Sequence, residues 1–178
     1  MAGIIVIIAG AILFVIAMLP KKKKATMPLN IPDIHKVNSL QDVVMSVNHG
    51  RIYPYFTGMS IEKAQKIAND VHPNPTALNQ TLQMQELMGI KMFFDVPISN
   101  KYIERVSVHL NNNRIISSIS IDIKDFHINK KPLTEEMTLK FGKPMSMDNE
   151  FIIWRDGWMV VNIHKEGSLC VIDEKLYR

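Results

Sequence analysis

Residues 2–19 read AGIIVIIAGAILFVIAML without one charge, and the run then meets Pro20 and four consecutive lysines, Lys21, Lys22, Lys23 and Lys24. At a rise of about 1.5 Å per residue a helix of this length spans roughly 27 Å, close to the hydrocarbon thickness of a bilayer. Lipid accepts such a helix because it satisfies its own backbone, whereas a helix apolar on every face otherwise needs a large protein interior. The rest of a 178-residue chain is too small to supply one. A cleaved signal peptide would carry a positive amino-terminal region, a shorter apolar run and an A-x-A-like site before Pro20, and none is present. The expectation is an uncleaved, single-pass signal-anchor: residues 1–24 as the transmembrane helix with its lysine flank, the bilayer held through residues 2–20.

Lysine-rich flanks stay in the cytoplasm, so the amino terminus is expected outside and the body cytoplasmic, a periplasmic or extracellular body being the alternative. The same lysines attract anionic headgroups at about 1 kcal/mol each, although a stop-transfer role already explains them. Gly3, Gly10 and Ala17 recur every seventh residue and place small side chains along one face, where a partner helix would approach closely.

Once the four lysines belong to the membrane boundary, the net charge of +4 disappears, because 17 basic residues then face 17 acidic ones. A neutral body has little electrostatic claim on nucleic acid. The single cysteine, Cys170, cannot form an internal disulfide, which agrees with a reducing compartment.

Residues 25–38 hold Pro28 and Pro32 without an apolar period and read as a tether. Residues 39–178 read as one soluble α+β domain of helices packed on antiparallel sheet. Ser39 and Asp42 open a short helix that stops at Gly50. RIYPYF follows and gathers Tyr53, Tyr55 and Phe56 around Pro54, a segment that either presents aromatics to a partner or the membrane interface, or folds onto the core. Ser60 starts an amphipathic helix, and Asn74-Pro75 supplies the cap and first position of another that runs to Met88 before Gly89. Met84, Met88 and Met92 would suit an adaptable binding surface, with ordinary core filling the simpler reading.

Period-two alternation then takes over. Residues 102–110 and 114–123 form a hairpin about Asn111-Asn112-Asn113, preceded by a strand in 90–98. A helix is expected over 132–141, ended by Gly142 and Pro144, and then a meander over 150–155, 158–164 and 168–174. With Asp156-Gly157 as a two-residue turn, Arg155 faces Trp158 across the hairpin and Trp154 faces Met159. Helix-then-strands thus occurs twice, with possible halves 39–128 and 129–178 that share little identity. LTEEMTLKFGKP followed by FIIWRDGWMVV resembles the helix-plus-meander domains of outer-membrane assembly lipoproteins of the SmpA/OmlA type, over about forty residues. The resemblance implies fold alone, and that family's lipid-bearing cysteine has no counterpart here.

Asp122, Asp125 and His127 in DIKDFH are the best local set of metal ligands, yet a site needs three or four convergent groups, and solvated charges explain the cluster more simply. The six histidines show no paired spacing, Cys170 sits in an apolar alternation that suits a buried thiol, and no glycine-rich loop leads from strand to helix. No cofactor, metal or catalytic residue is expected. The expected function is non-enzymatic protein binding at a membrane, an immunity-type or envelope-machinery accessory role, through Tyr53, Tyr55, Phe56, Arg155 and Trp158. The alternative is a membrane-localised enzyme or small-ligand binder using Asp122, Asp125 and His127.

Overall fold

In the computed structural model, which describes residues 31–177, the chain starts with a 3-10 turn, Ile34–Lys36, whose Asp33 side chain accepts the backbone N–H of His35. Helix α1 (Leu40–Ser46) is capped by Ser39, whose Oγ accepts from Asp42 N at 3.0 Å. Three two-residue strands follow, β1 (Val47–Asn48), β2 (Arg51–Ile52) and β3 (Tyr55–Phe56), paired antiparallel in that order. Helix α2 (Ile61–Val71) buries Ile61, Ala64 and Ala68 at helical spacing. Helix α3 (Pro75–Leu87) has Pro75 in its first turn and Asn74 Oδ1 accepting from Ala77 N, the arrangement read from Asn74-Pro75.

Strands β4 (Phe93–Pro97), β5 (Ile103–Leu110) and β6 (Ile116–Ile123) form one antiparallel meander. Helix α4 (Phe126–Phe141) and the short β7 (Ser146–Met147) lead to a second meander, β8 (Phe151–Asp156), β9 (Met159–His164) and β10 (Ser168–Asp173), before helix α5 (Glu174–Tyr177). The meanders meet where β6 pairs antiparallel with β10, giving one seven-stranded sheet in the order β4-β5-β6-β10-β9-β8-β7. The fold is α+β with antiparallel sheets, and each meander has a helix before it.

Register explains which face became core. Phe94, Val108, Ile119, Val171, Val161 and Trp154 lie side by side across six strands, and so do Val96, Val106, Ile121, Leu169, Ile163 and Ile152. All twelve are buried. Ala64 and Ala68 of α2, Leu78 and Leu82 of α3, and Leu133 and Met137 of α4 join the same cluster, so these helices cover this face. Because strand side chains alternate, the residues between them form the opposite face, with Asp95, Ser107, Ser120, Cys170, Asn162 and Ile153 in one row. The edge strand β4 is blunted: Phe93 N donates to Gln85 Oε1 at 2.9 Å, and Pro97 has no N–H to offer.

Several expectations give way. Ile34 and Val37 are buried in the core, so the folded part starts within the supposed tether of 25–38. The stretch before Pro132 is helical, and α4 starts at Phe126, which puts the 128/129 boundary between the two halves inside a helix. The β8–β9 turn is Gly157-Trp158, because Asp156 pairs with Met159, Arg155 with Val160 and Trp154 with Val161. Glycine sits first in that turn with φ +58, the position where a two-residue hairpin loop of this kind requires it. In the β5–β6 turn the positive φ falls on Arg114, while Asn111 Oδ1 accepts from Asn113 N and Ile115 N. No helix among the described residues is long and apolar enough to cross a membrane; residues 2–24, with Gly3, Gly10, Ala17 and the four lysines, lie outside them.

Two interactions test this architecture. Lys140 of α4 donates from Nζ to the carbonyls of Val44 (2.8 Å), Met45 (3.2 Å) and Val47, a cation at the carboxyl end of α1 where helix carbonyls lack partners. Since this side chain is partly solvated, Lys140→Met is expected to lower stability by about 1 kcal/mol in urea unfolding. Ile119→Ala, in the middle of a buried row, is expected to cost roughly 2–5 kcal/mol, against a few tenths for Ile128→Ala on the exposed side of α4.

Candidate functional site

The acidic–histidine cluster does not assemble. Asp122 belongs to the face of β6 opposite the core rows, where Oδ2 meets Arg105 Nε at 2.5 Å and Oδ1 accepts from Ser168 Oγ at 2.8 Å. The bond to Asp122 raises the pKa of the Arg105 guanidinium. Asp125 stands at the start of α4 in left-handed conformation, φ +47, and its carbonyl accepts from Ile128 N and Asn129 N. Asp125 and His127 share an open depression with Lys130, Lys165 and Glu166, and Asp122 is not among its lining residues. Among the described residues no group of three or more His, Cys, Asp or Glu is placed to hold a metal ion. Cys170 lies on the same face as Asp122, where burial pushes its thiol up to about 11, far from the thiolate a nucleophile needs.

The aromatics of RIYPYF separate. Tyr55 is fully buried, and burial raises its hydroxyl above the usual range. Its hydroxyl lies 3.4 Å from His35 Nε2, while His35 Nδ1 meets Asp33 Oδ1 at 2.8 Å. This chain of three groups ties the 3-10 turn to the β2–β3 hairpin, as does the bond from Ile34 N to Tyr53 O at 2.8 Å. Tyr55 therefore leaves the set of partner-binding residues and becomes core. Tyr53 stays exposed, and Phe56 is half-buried beneath Arg51 and Lys63, at 5.8 and 5.2 Å from its ring centre.

Arg155 and Trp158 do not pair with each other. Arg155 makes a two-pronged contact with Glu174, Nη1 to Oε2 at 2.6 Å and Nη2 to Oε1 at 2.7 Å, and the cation over the Trp158 ring is Lys175, at 5.2 Å. Trp154 is the core tryptophan, its Nε1 donating to Gly142 O at 2.9 Å, and Trp158 is half exposed at the hairpin tip. Both charged contacts run from α5 to the β8–β9 hairpin, so their first role is to hold the last helix.

Among the described residues, the largest run of exposed apolar side chains lies elsewhere. Met84 and Leu87 lie in the last turn of α3, Met88 is its C-cap, and Ile90 and Phe93 follow. All five are exposed, Leu87 to 84% and Met88 to 66%. Phe93 stacks on His109 with ring centres 5.9 Å apart, while Leu78 and Leu82 on the other side of α3 enter the core. Core filling is thus the wrong account of Met84 and Met88, and holds only in part for half-buried Met92. The signal was present in sequence: four-residue methionine spacing next to a separate apolar pair, Leu78 and Leu82, that already supplied a buried side.

Two histidines are expected to give the fold a pH dependence. Burial holds His35 below its ordinary pKa against the opposing pull of Asp33, and burial does the same for His109 against Asp95. A lowered folded pKa means that the unfolded chain takes up protons first, so stability is complete above about 6.5, the ordinary histidine value, and falls as pH drops below it. The urea midpoint is expected to fall between pH 7.5 and 5.5, with a shallower slope in His35→Gln; a flat profile would exclude the effect. Compared with known proteins, the chain matches no family model, no curated protein and no solved structure.

Proposed function

We propose that this chain is a single-pass membrane-anchored protein whose α+β body is a non-enzymatic binding module for another protein, with the body on the cytoplasmic side. The observation that carries the binding role is the exposed surface of Met84, Leu87, Met88, Ile90 and Phe93. Five large apolar side chains within ten residues stand in solvent, and apolar surface exposed at this density supports an interaction role. Methionine and leucine on such a surface repack against a partner with little loss, because the unbranched thioether side chain is polarisable and flexible. The anchor and orientation rest on the charge-free run of 2–19 and the lysines that end it. Trp158 and Tyr53 remain secondary contact candidates, since both keep part of their rings in solvent.

The test places a photo-reactive amino acid at position 87 of the full chain in its native membranes, with position 135 on α4 as the control. A discrete crosslinked protein at 87 and none at 135 is the expected result, and the adduct is expected to drop at least tenfold when Met84 and Met88 are changed to glutamate. The same adducts at both positions, or an adduct indifferent to the two glutamates, would overturn the assignment.

A further inference from the structure

We propose that a recess beside Phe93 takes a carboxylate side chain of the partner protein, so that the partner presents an acidic residue next to the segment that covers Met84, Leu87 and Met88; this rests on the binding role proposed above. Stretches far apart in sequence build the recess: Lys91 and Phe93 at the entry to β4, His109 and Asn112 at the end of β5, and Tyr177 of α5. Its volume is about 90 Å³, well under the roughly 300 Å³ at which pockets begin to enclose drug-sized ligands, so it suits the end of one side chain. The walls are held. Asn111 Nδ2 donates to Leu176 O at 3.1 Å while Asn111 Oδ1 accepts from Asn113 N and Ile115 N, so one side chain ties α5 to the β5–β6 turn. Phe93 is stacked on His109. Ser118 opposes His109 and Ile116 opposes Leu110, which leaves Ser117 as the extra residue of a β-bulge, a device that re-aims side chains, and Ser117 lines the recess.

Charge selects this recess over its neighbours. Three other recesses of the body carry carboxylates of their own: Asp125 and Glu166 in one, Glu135 in the second, Asp95 in the third. Among the described residues no acidic side chain lines the recess beside Phe93, and no carboxylate lies within 4.0 Å of Lys91 Nζ. Its cation is Lys91, and its neutral donors are the Tyr177 hydroxyl, the Asn112 amide and the ring N–H of His109, which burial holds below its ordinary pKa. A carboxylate placed among them gains charge-assisted hydrogen bonds that a neutral or cationic group cannot make. Position adds a second reason. Lys91 lies three residues after Met88 and two before Phe93, so an anion held there is continuous with the exposed apolar surface.

The photo-crosslink at position 87 of the full chain in native membranes gives the readout. Lys91→Glu is expected to lower the adduct at least about tenfold, because a carboxylate then faces a carboxylate, while Lys91→Arg keeps it. Lys101→Glu is the control. Lys101 also stands over a ring, that of Tyr102, but at the opposite end of the β4–β5 hairpin and in none of the four recesses, and its change is expected to leave the adduct within about twofold. The partner is identified by mass from its adduct, and its acidic residues in the crosslinked segment are changed to lysine one at a time; one of these changes is expected to restore most of the adduct with the Lys91→Glu chain. No adduct at 87 in the unchanged chain would overturn the binding surface and the recess with it. An adduct that survives Lys91→Glu, falls equally with Lys101→Glu, or is restored by none of the partner's lysine changes would overturn the carboxylate site and leave the apolar surface standing.

Discussion

Everything in the body depends on the antiparallel pairing of β6 with β10. Ser168–Asp122, Leu169–Ile121, Cys170–Ser120, Val171–Ile119 and Ile172–Ser118 are opposed across that seam, which joins two meanders that would otherwise each end in an open strand. The seam sets more than continuity. A one-residue slip would turn Leu169 and Val171 to the opposite face and bring Cys170 beneath α2, α3 and α4, so the register is specified by the whole apolar row it completes. From that row follow the positions of α2, α3 and α4, and from α3 follows the exposed surface proposed for partner binding.

What could be read in advance divides by the range of the interaction concerned. Residues 103–123 and 151–173 announced their strands through period-two burial, a local property that needs no partner to be visible. The start of α4 was hidden because proline is most at ease in the first turn of a helix, and Pro132 sits a further turn inside, without the N–H that would reach the carbonyl of Ile128. The β8–β9 turn is displaced by one residue from expectation: Asp156-Gly157 and Gly157-Trp158 are both acceptable turn pairs, and the register that sets Trp154 opposite Val161 selects the second.

The candidate sites were less legible still. Asp122 and Asp125 are three residues apart, yet Asp122 is drawn to Arg105 and Ser168, side chains 17 and 46 positions away. Arg155 and Trp158 looked like partners, and each found its contact instead in Glu174 or Lys175 of the last helix. Long-range ion pairs are invisible to spacing. The exposed methionines, by contrast, were a local pattern whose meaning hung only on which side of α3 faced the sheet.

The blunted edge of β4 limits the way a partner can be gripped. Met92 O and Ile98 N are bonded to β5, so the outward backbone groups are those of Phe93, Asp95 and Pro97. Phe93 N is taken by Gln85 and Pro97 has none, leaving Asp95 as the one outward donor. A visiting strand would find one backbone donor beside the carbonyls of Phe93, Asp95 and Pro97, a ladder short of donors that disfavours zipping of copies into a growing sheet at this edge. A partner at the surface proposed beside α3 would therefore be read through side-chain shape, tunable one residue at a time without disturbing the backbone that carries it.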